Sequence, residues 1–149
     1  MKKACLLFLG IAALGACKKD GESTPAPSRT DLLTAKSWRL TTINATLNGS
    51  PLPSSLIPAC YNDDLFKFNA DKTVVQDAGA NKCNSTDPQT QSGTWSFNTD
   101  QSKLTISVQG SLLNGEADVK ELTSSTLRIS ATPTISGFPI SVDATFAPN

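Results

Sequence analysis

The sequence predicts an all-β domain, built as an eight-stranded antiparallel up-and-down barrel behind a short N-terminal helical turn. After residue 35, short segments alternate between apolar and polar residues with a period of two, which is typical of half-buried strands. Short polar connectors join these segments and indicate hairpins. No long segment has a helical period. Closing eight sequential strands into a barrel removes exposed edges, while periodicity alone leaves a two-sheet β-sandwich as the alternative.

The individual elements follow in chain order. Ser28 or Thr30 can cap a helical turn over residues 31–35, because both side chains accept hydrogen bonds from free backbone N–H groups. The segments that alternate, or that are rich in β-branched and aromatic residues, predict strands at 38–43, 65–68, 73–76, 93–97, 104–108, 117–122, 126–131 and 138–146.

The alternation also predicts which side chains face inward. In the last strand, one face carries Phe138, Ile140, Val142, Ala144 and Phe146. An eight-stranded barrel is just wide enough to be filled by side chains or to hold one small ligand, so the inward residues form either a packed core or the lining of a ligand cavity. These candidates for the barrel interior or ligand lining are Trp38, Phe66, Phe68, Trp95, Phe97, Leu104, Ile106, Leu127, Ile129, Ile140, Val142 and Phe146.

The N-terminal segment has the layout of a secretory signal: Lys2 and Lys3, an apolar run over 4–14, then small residues. The run is shorter than the about 20 residues that cross a bilayer core. LGAC at 14–17 resembles the lipobox of bacterial lipoproteins, which implies cleavage after residue 16 and acylation of Cys17. Lys18, in place of the aspartate of inner-membrane lipoproteins, implies an outer-membrane destination on its periplasmic or surface face.

The predicted organisation is therefore a signal peptide at 1–16, a lipidated N-terminus and flexible tether at 17–29, and a barrel domain at 30–149. The tether is polar and contains proline, without apolar periodicity. Loss of Lys2 and Lys3 with the signal leaves 11 of the 13 basic residues against 13 acidic ones. Such a near-neutral chain is unsuited to nucleic acid or to electrostatic docking on lipid.

The cysteines point to one disulfide. Cys5 leaves with the signal and Cys17 carries lipid, which leaves Cys60 and Cys83 as a pair in an oxidising compartment. A bond between them would stabilise the fold by roughly 3 kcal/mol. A metal site is the alternative, although the chain has no histidine and no CxxC motif. The lack of histidine also excludes Ser-His-Asp and Cys-His catalysis, so we predict neither an enzyme nor a cofactor.

Two local groups have competing interpretations. Asp63 and Asp64 could bind calcium or act as paired carboxylates, but adjacent residues point in different directions and no glycine-punctuated acidic loop follows, so a solvated loop is favoured. Arg128 could stack on Trp38, because the first and last strands of a closed barrel adjoin, or it could be a solvated strand residue.

An ordered set of local strings resembles the lipocalin-like lipoprotein domains of Bacteroidota: LLTAKSWRL at 32–40, CYNDDLFKFNADKT at 60–73, NKCNSTDPQ at 81–89, GTWSF at 93–97, KLTI at 103–106 and VKELTSSTLRI at 119–129. The resemblance implies a calycin-type barrel with a bridge between Cys60 and Cys83, and it implies little about activity. Lys36 stands where true lipocalins have the glycine of their Gly-x-Trp signature.

Two classes of function remain. The first is a membrane-anchored binding module for a small apolar or amphipathic ligand, with membrane lipid as its other partner through Cys17. The second is an envelope interaction or inhibitor protein that presents loops 48–59 and 108–115 to another protein.

Overall fold

The computed structural model describes residues 25–111, 113–135 and 137–149; the predicted signal peptide and Cys17 lie outside these ranges. The predicted helical turn is confirmed as α1 (Arg29–Thr34). Ser28 caps it: its hydroxyl accepts the Asp31 N–H, and the Asp31 carboxylate accepts the Ser28 N–H. At six residues α1 is short, and in the described part of the chain no helix has the length and apolar character needed to span a membrane.

Ten strands follow the helix, of which two are only two residues long. Two short 3-10 turns, Ser54–Leu56 and Ala59–Asp63, lie in the connection before the third strand. The strands are β1 (Ser37–Leu47), β2 (Ser50–Pro51), β3 (Leu65–Phe68), β4 (Thr73–Asp77), β5 (Thr90–Phe97), β6 (Lys103–Ser107), β7 (Gly115–Leu122), β8 (Leu127–Ala131), β9 (Thr134–Ile135) and β10 (Phe138–Pro148).

The eight longer strands form a closed antiparallel barrel, as predicted. Each pairs with its neighbour in chain order, and β1 pairs with both β3 and β10. The seam between β1 and β10 runs from Trp38 opposite Pro148 to Leu47 opposite Ile140. This closure leaves no free edge among the eight strands, so the β-sandwich alternative is wrong.

A β-bulge at Thr41 interrupts the alternation of β1. Leu40 lies opposite Phe146, whereas Thr42 lies opposite Thr145, so β1 has one extra residue between them. Both threonines are exposed, and the inward positions move from Leu40 to Ile43. The bulge therefore directs the second half of β1 into the barrel in a phase that a strict period of two does not predict.

The barrel has a closed end and an open end. At the closed end lie α1 and the three tight turns at 69–72, 98–102 and 123–126; the longer connections lie at the open end. Helix α1 covers the closed end, where the Leu33 carbonyl accepts a hydrogen bond from Trp38 Nε1 at 2.9 Å. The Lys67 ammonium donates to the Thr34 carbonyl at 2.7 Å and joins α1 to β3.

Aromatic side chains fill the interior at the closed end. Phe66 and Phe146 meet edge to face with centroids 6.0 Å apart, and Phe68 meets Trp95 in the same way at 5.9 Å. With Trp38, these five side chains are each 3% exposed or less. This end of the barrel is therefore a packed core without room for a ligand.

The inward face predicted for the last strand is correct over most of β10 but wrong at Phe138. Ile140, Ala144 and Phe146 are buried and Val142 is half-buried, whereas Phe138 is 58% exposed. The seam with β1 ends at Ile140, so Phe138 extends beyond the barrel wall, where it pairs only with β9.

Candidate ligand-binding site

A cavity of about 760 Å³ occupies the open end of the barrel and opens to solvent. Strands β1, β7, β8 and β10 form its wall. The connection at 52–58 covers it with apolar side chains, tied to β1 where the Leu52 N–H donates to the Ala45 carbonyl at 2.8 Å. The 48–59 loop, predicted as a protein-binding surface, thus folds mainly over this cavity.

Four inward positions at this end carry alanine, beside larger residues such as Ile43, Ile140 and Val142, and these alanines contribute to the space. Ala45, Ala117, Ala131 and Ala144 face the space, on strands whose closed-end positions carry large side chains such as Trp38 and Phe146. A barrel of fixed strand number keeps a similar width along its axis, so alanines leave unfilled the volume that aromatic rings fill elsewhere.

No charged side chain of the described lining points into the cavity. The charged residue among them is Glu116, which alternation in β7 places on the outer face, opposite to the inward Ala117. There its carboxylate lies 2.6 Å from the Lys103 ammonium, a hydrogen bond that raises the pKa of Lys103. The cavity wall is consequently uncharged and mostly apolar, with Ser111, Asn114 and Thr132 as its polar residues, which is typical of sites for small apolar or amphipathic molecules.

The open end of the barrel carries two exposed apolar side chains. Leu56 lines the cavity and is 65% exposed, and Phe138 projects from the start of β10 at the same end. These are the two large hydrophobic residues found exposed in the described part of the chain.

The predicted interior residues divide between the two ends. Ile140, Val142 and Ile129 line the cavity. Phe97 is half-buried and packs against the core. The others lie in the packed core: Trp38, Phe66, Phe68, Trp95, Leu104, Ile106, Leu127 and Phe146.

Sequence reasoning missed the alanines and the 52–58 connection, which make the site. One alanine at an inward position in each of four strands, at 45, 117, 131 and 144, was the signal available: inside a barrel, such small residues can leave space for a ligand.

The two cysteines are joined as predicted. The Cys60–Cys83 disulfide, with 5.2 Å between Cα atoms, links the β2–β3 connection to the β4–β5 connection at the open end. The bond uses both sulfur atoms, so the alternative of a metal site at these cysteines is wrong.

Asp63 holds the same two connections together by hydrogen bonds. Its Oδ2 accepts from the backbone N–H groups of Ala80 and Asn81 at 2.8 and 3.0 Å, and from Asn81 Nδ2 at 3.0 Å. Burial alone would raise the pKa of Asp63, but these hydrogen bonds together hold it below its ordinary value. Asp63 is thus a structural residue rather than a solvated one.

The prediction of a solvated loop is also wrong for Asp64, which is only 4% exposed. It lies just before β3 and accepts a hydrogen bond from Gln76 Nε2 at 2.6 Å. Burial raises the pKa of Asp64, the Gln76 hydrogen bond opposes this, and the negative charges of Asp63 and Asp77 raise it further.

The contact between Arg128 and Trp38 is not formed. Arg128 is exposed on the outer face of β8, with its Nη1 4.0 Å from the Glu121 carboxylate, while the Trp38 ring is buried inside the barrel. The solvated reading of Arg128 is correct. A cation–π contact occurs instead at the closed end, where Lys72 Nζ lies 3.9 Å from the Trp95 ring centroid.

Comparison with known proteins agrees with this architecture. The model of the lipocalin-like domain family matches residues 34–129, from the end of α1 to β8. The chain belongs to the lipocalin-like domain family. This confirms the resemblance seen in the ordered sequence strings.

A solved structure with low sequence identity shares the fold of this lipocalin-like chain. A DUF4847 family protein from Bacteroides vulgatus is 16% identical with a TM-score of 0.51, over 82% of this chain and 98% of its own. Bovine odorant-binding protein, solved with a selenium-containing odorant, is 14% identical with a TM-score of 0.48, over 86% of this chain and 77% of its own. No curated protein sequence matches this chain.

Proposed function

We propose that this lipocalin-like chain binds a small apolar or amphipathic molecule in the open-end cavity, in a binding rather than a catalytic role. The observation that carries the proposal is the cavity itself. Its volume of about 760 Å³ lies within the range of roughly 300–1,000 Å³ of small-molecule sites.

The cavity is too large to be a packing defect. Packed interiors contain few voids larger than one water, whose share of liquid volume is about 30 Å³. The space here is many times larger than a void for one water, and the wall contains alanines where the other end has aromatic rings. An apolar wall of this kind binds ligands by burial of hydrocarbon surface.

The test is the binding of an apolar fluorescent probe, such as N-phenyl-1-naphthylamine, to the full domain and to one blocked variant. Ala131→Phe adds a ring from β8 to the cavity, and Ala147→Phe makes the same change on the outer face of β10. We expect Ala131→Phe to weaken probe binding at least about tenfold by steric overlap, and Ala147→Phe to leave it unchanged. Equal affinity of the two variants would contradict the proposal.

We further propose that the protein is anchored to the outer membrane through acylated Cys17. The support is the LGAC string behind a signal-like segment. A flexible tether at 17–29 would join this anchor to the barrel domain.

Metabolic labelling with an alkyne fatty acid in a bacterial host tests the anchor. Cys17→Ala should abolish labelling and release the protein from the membrane fraction, whereas the matched change Cys5→Ala in the signal should preserve both. A density gradient then assigns the labelled protein to the inner or the outer membrane. Labelling that survives Cys17→Ala would refute acylation at this residue.

A second candidate function, binding of an envelope protein, is favoured by the exposed apolar side chains at the open end. Leu56 and Phe138 expose large hydrophobic surface there, which is typical of contact sites. Crosslinking in the native host compares the wild type with Leu56→Ser/Phe138→Ser. A protein adduct lost in this variant supports the second function, and its persistence would contradict it.

A further inference from the structure

The polar residues of the cavity lining lie together at the open end of the barrel. They are Ser111, Asn114 and Thr132, here called the polar rim. Asn114 directly precedes β7 and Thr132 directly follows β8, and these two strands pair with each other, so the rim lies at one end of a strand pair. The inward-facing strand residues of the lining are all apolar, so the cavity has a polar entrance and an apolar interior.

The polar rim offers hydrogen-bond donors and acceptors. The Ser111 hydroxyl accepts the Leu113 N–H at 3.2 Å and keeps its own proton to donate. Asn114 has two N–H donors and a carbonyl acceptor, and the Thr132 hydroxyl can both donate and accept. Asn114 and Thr132 are exposed, so a ligand that replaces water can reach their polar groups.

The connections around the cavity carry no charge. The chain has 13 acidic and 13 basic residues, but none of them lies in segments 40–62, 104–115 and 129–142. These segments contain every connection that contributes to the described lining. The charged residue of that lining, Glu116, contacts the Lys103 ammonium on the outer face. A charged group of a ligand at the rim would therefore find no free counter-charge.

This lack of charge discriminates between head groups. A charged head group that has no counter-charge has to remain hydrated, because its transfer from water costs far more than that of a neutral polar group. Its hydration outside the open end leaves part of the attached hydrocarbon chain in water. Each methylene that stays outside weakens binding about fourfold. A neutral head group can instead exchange water for the rim, and its chain can enter the cavity fully.

We propose that the cavity binds amphipathic molecules whose head group is uncharged, such as an alcohol or an amide, with that group at the polar rim and the hydrocarbon chain in the apolar interior. This inference rests on the proposed binding function, and it specifies the chemical class and the direction of the ligand. A hydroxyl or an amide both donates and accepts hydrogen bonds, as the rim residues do. A carboxylate only accepts and an ammonium only donates, and each brings a charge that the rim does not neutralise.

The first experiment measures displacement of N-phenyl-1-naphthylamine from the wild-type domain by decanol, decanoate and decylamine at neutral pH, where the last two compounds are charged. The three compounds share one hydrocarbon chain. We expect decanol to bind at least about tenfold more tightly than either charged compound, because its full insertion buries one or two more methylenes.

Substitutions at the rim locate the head group. Asn114→Leu/Thr132→Val removes two polar side chains, and should weaken decanol about fivefold while leaving probe affinity unchanged. Thr132→Lys adds a cation at the rim, and should strengthen decanoate binding at least about fivefold. Thr105→Lys makes the same change on the exposed outer face of β6, and should leave the affinity for decanoate unchanged.

The ranking in the wild type is decisive even if the variants fail to fold. Decanoate or decylamine binding as tightly as decanol would overturn the preference for an uncharged head group while leaving the cavity function intact. A folded Thr132→Lys protein without a gain for decanoate, or a folded double variant with full affinity for decanol, would overturn the position of the head group at the rim. If neither the probe nor any of the three compounds binds, the proposed function itself fails and this inference falls with it.

Discussion

The same substitution at the two ends of the barrel should have unequal costs. Ile106 is buried within the continuous core, whereas Ile140 is buried against the wall of the open-end cavity and lies outside that core cluster. Ile106→Ala and Ile140→Ala each delete three carbon atoms. The free energy of unfolding should fall much more for Ile106→Ala, because only that change creates a new void in packed structure.

The magnitudes follow from burial and packing. At about 0.8 kcal/mol per buried methylene, the transfer cost at Ile106 is roughly 2.4 kcal/mol. A residual void of about 50 Å³, at about 24 cal/mol per Å³, adds roughly 1.2 kcal/mol. The expected loss is therefore about 3.5 kcal/mol. The Ile140 side chain already borders the cavity, so Ile140→Ala enlarges an existing space. This change should lower the free energy of unfolding by about 1 to 1.5 kcal/mol.

Equilibrium unfolding in urea, with the disulfide intact and monitored by tryptophan fluorescence, measures the free energy of unfolding of both variants. An unchanged dependence of that free energy on urea concentration checks that the variants unfold in the same reaction as the wild type. Probe binding should show the opposite order, with Ile140→Ala weakened several-fold and Ile106→Ala unchanged. Equal losses of stability at about 3.5 kcal/mol would mean that the open end is as tightly packed as the closed end. That result would refute the cavity as a feature of the protein in solution.

Three further changes test other parts of the structure. Cys60→Ser/Cys83→Ser should lower the free energy of unfolding by about 3 kcal/mol, because the disulfide closes a loop with a sequence separation of 23. In urea titrations, the reduced wild type should lose the same free energy of unfolding as this variant. Asp64→Asn should raise the free energy of unfolding relative to the wild type, and by more as the pH rises. At low pH, Asp64 is protonated in both the folded and the unfolded wild type. Because folding raises the pKa of Asp64, its ionisation at higher pH destabilises the folded wild type, and asparagine does not ionise. A difference between the two proteins that stays constant from about pH 3 to 7 would contradict this. Gly93→Ala should cost about 3 kcal/mol, because a Cβ there would lie 1.9 Å from the Ser107 carbonyl oxygen; a loss below about 1 kcal/mol would show that β5 and β6 can separate.

Local signals made much of the fold predictable. The capping box at Ser28 and Asp31 is formed within four residues, so the start of α1 can be derived without knowledge of the rest of the chain. Hairpins such as β3–β4 depend on short connectors and alternation, and both are local. Barrel closure was favoured because eight strands occur in simple order, but only the pairing of β1 with β10 distinguished it from a sandwich.

The site was less predictable, because alternation indicates the face of a strand and not its depth along the barrel axis. Trp38 and Ile140 share the inward face, yet one packs in the core and the other lines the cavity. Asp64 was assigned to a solvated loop because adjacent residues point in different directions and no glycine-punctuated acidic loop follows, whereas it lies inside the barrel beside Gln76. Its burial depends on packing beside Gln76 of β4, which lies 12 residues further along the chain.

The sequence by itself determined the all-β class, the order of the strands and the pairing of Cys60 with Cys83. The first two depend on residue type and short-range spacing, and the pairing depends on which cysteines are left for the barrel domain. Only the tertiary structure decided the bulge at Thr41, the exposure of Phe138 and the cavity surrounded by alanines. These features depend on which residues meet across the barrel. A small side chain leaves a space only where the neighbouring strands do not fill it with larger side chains.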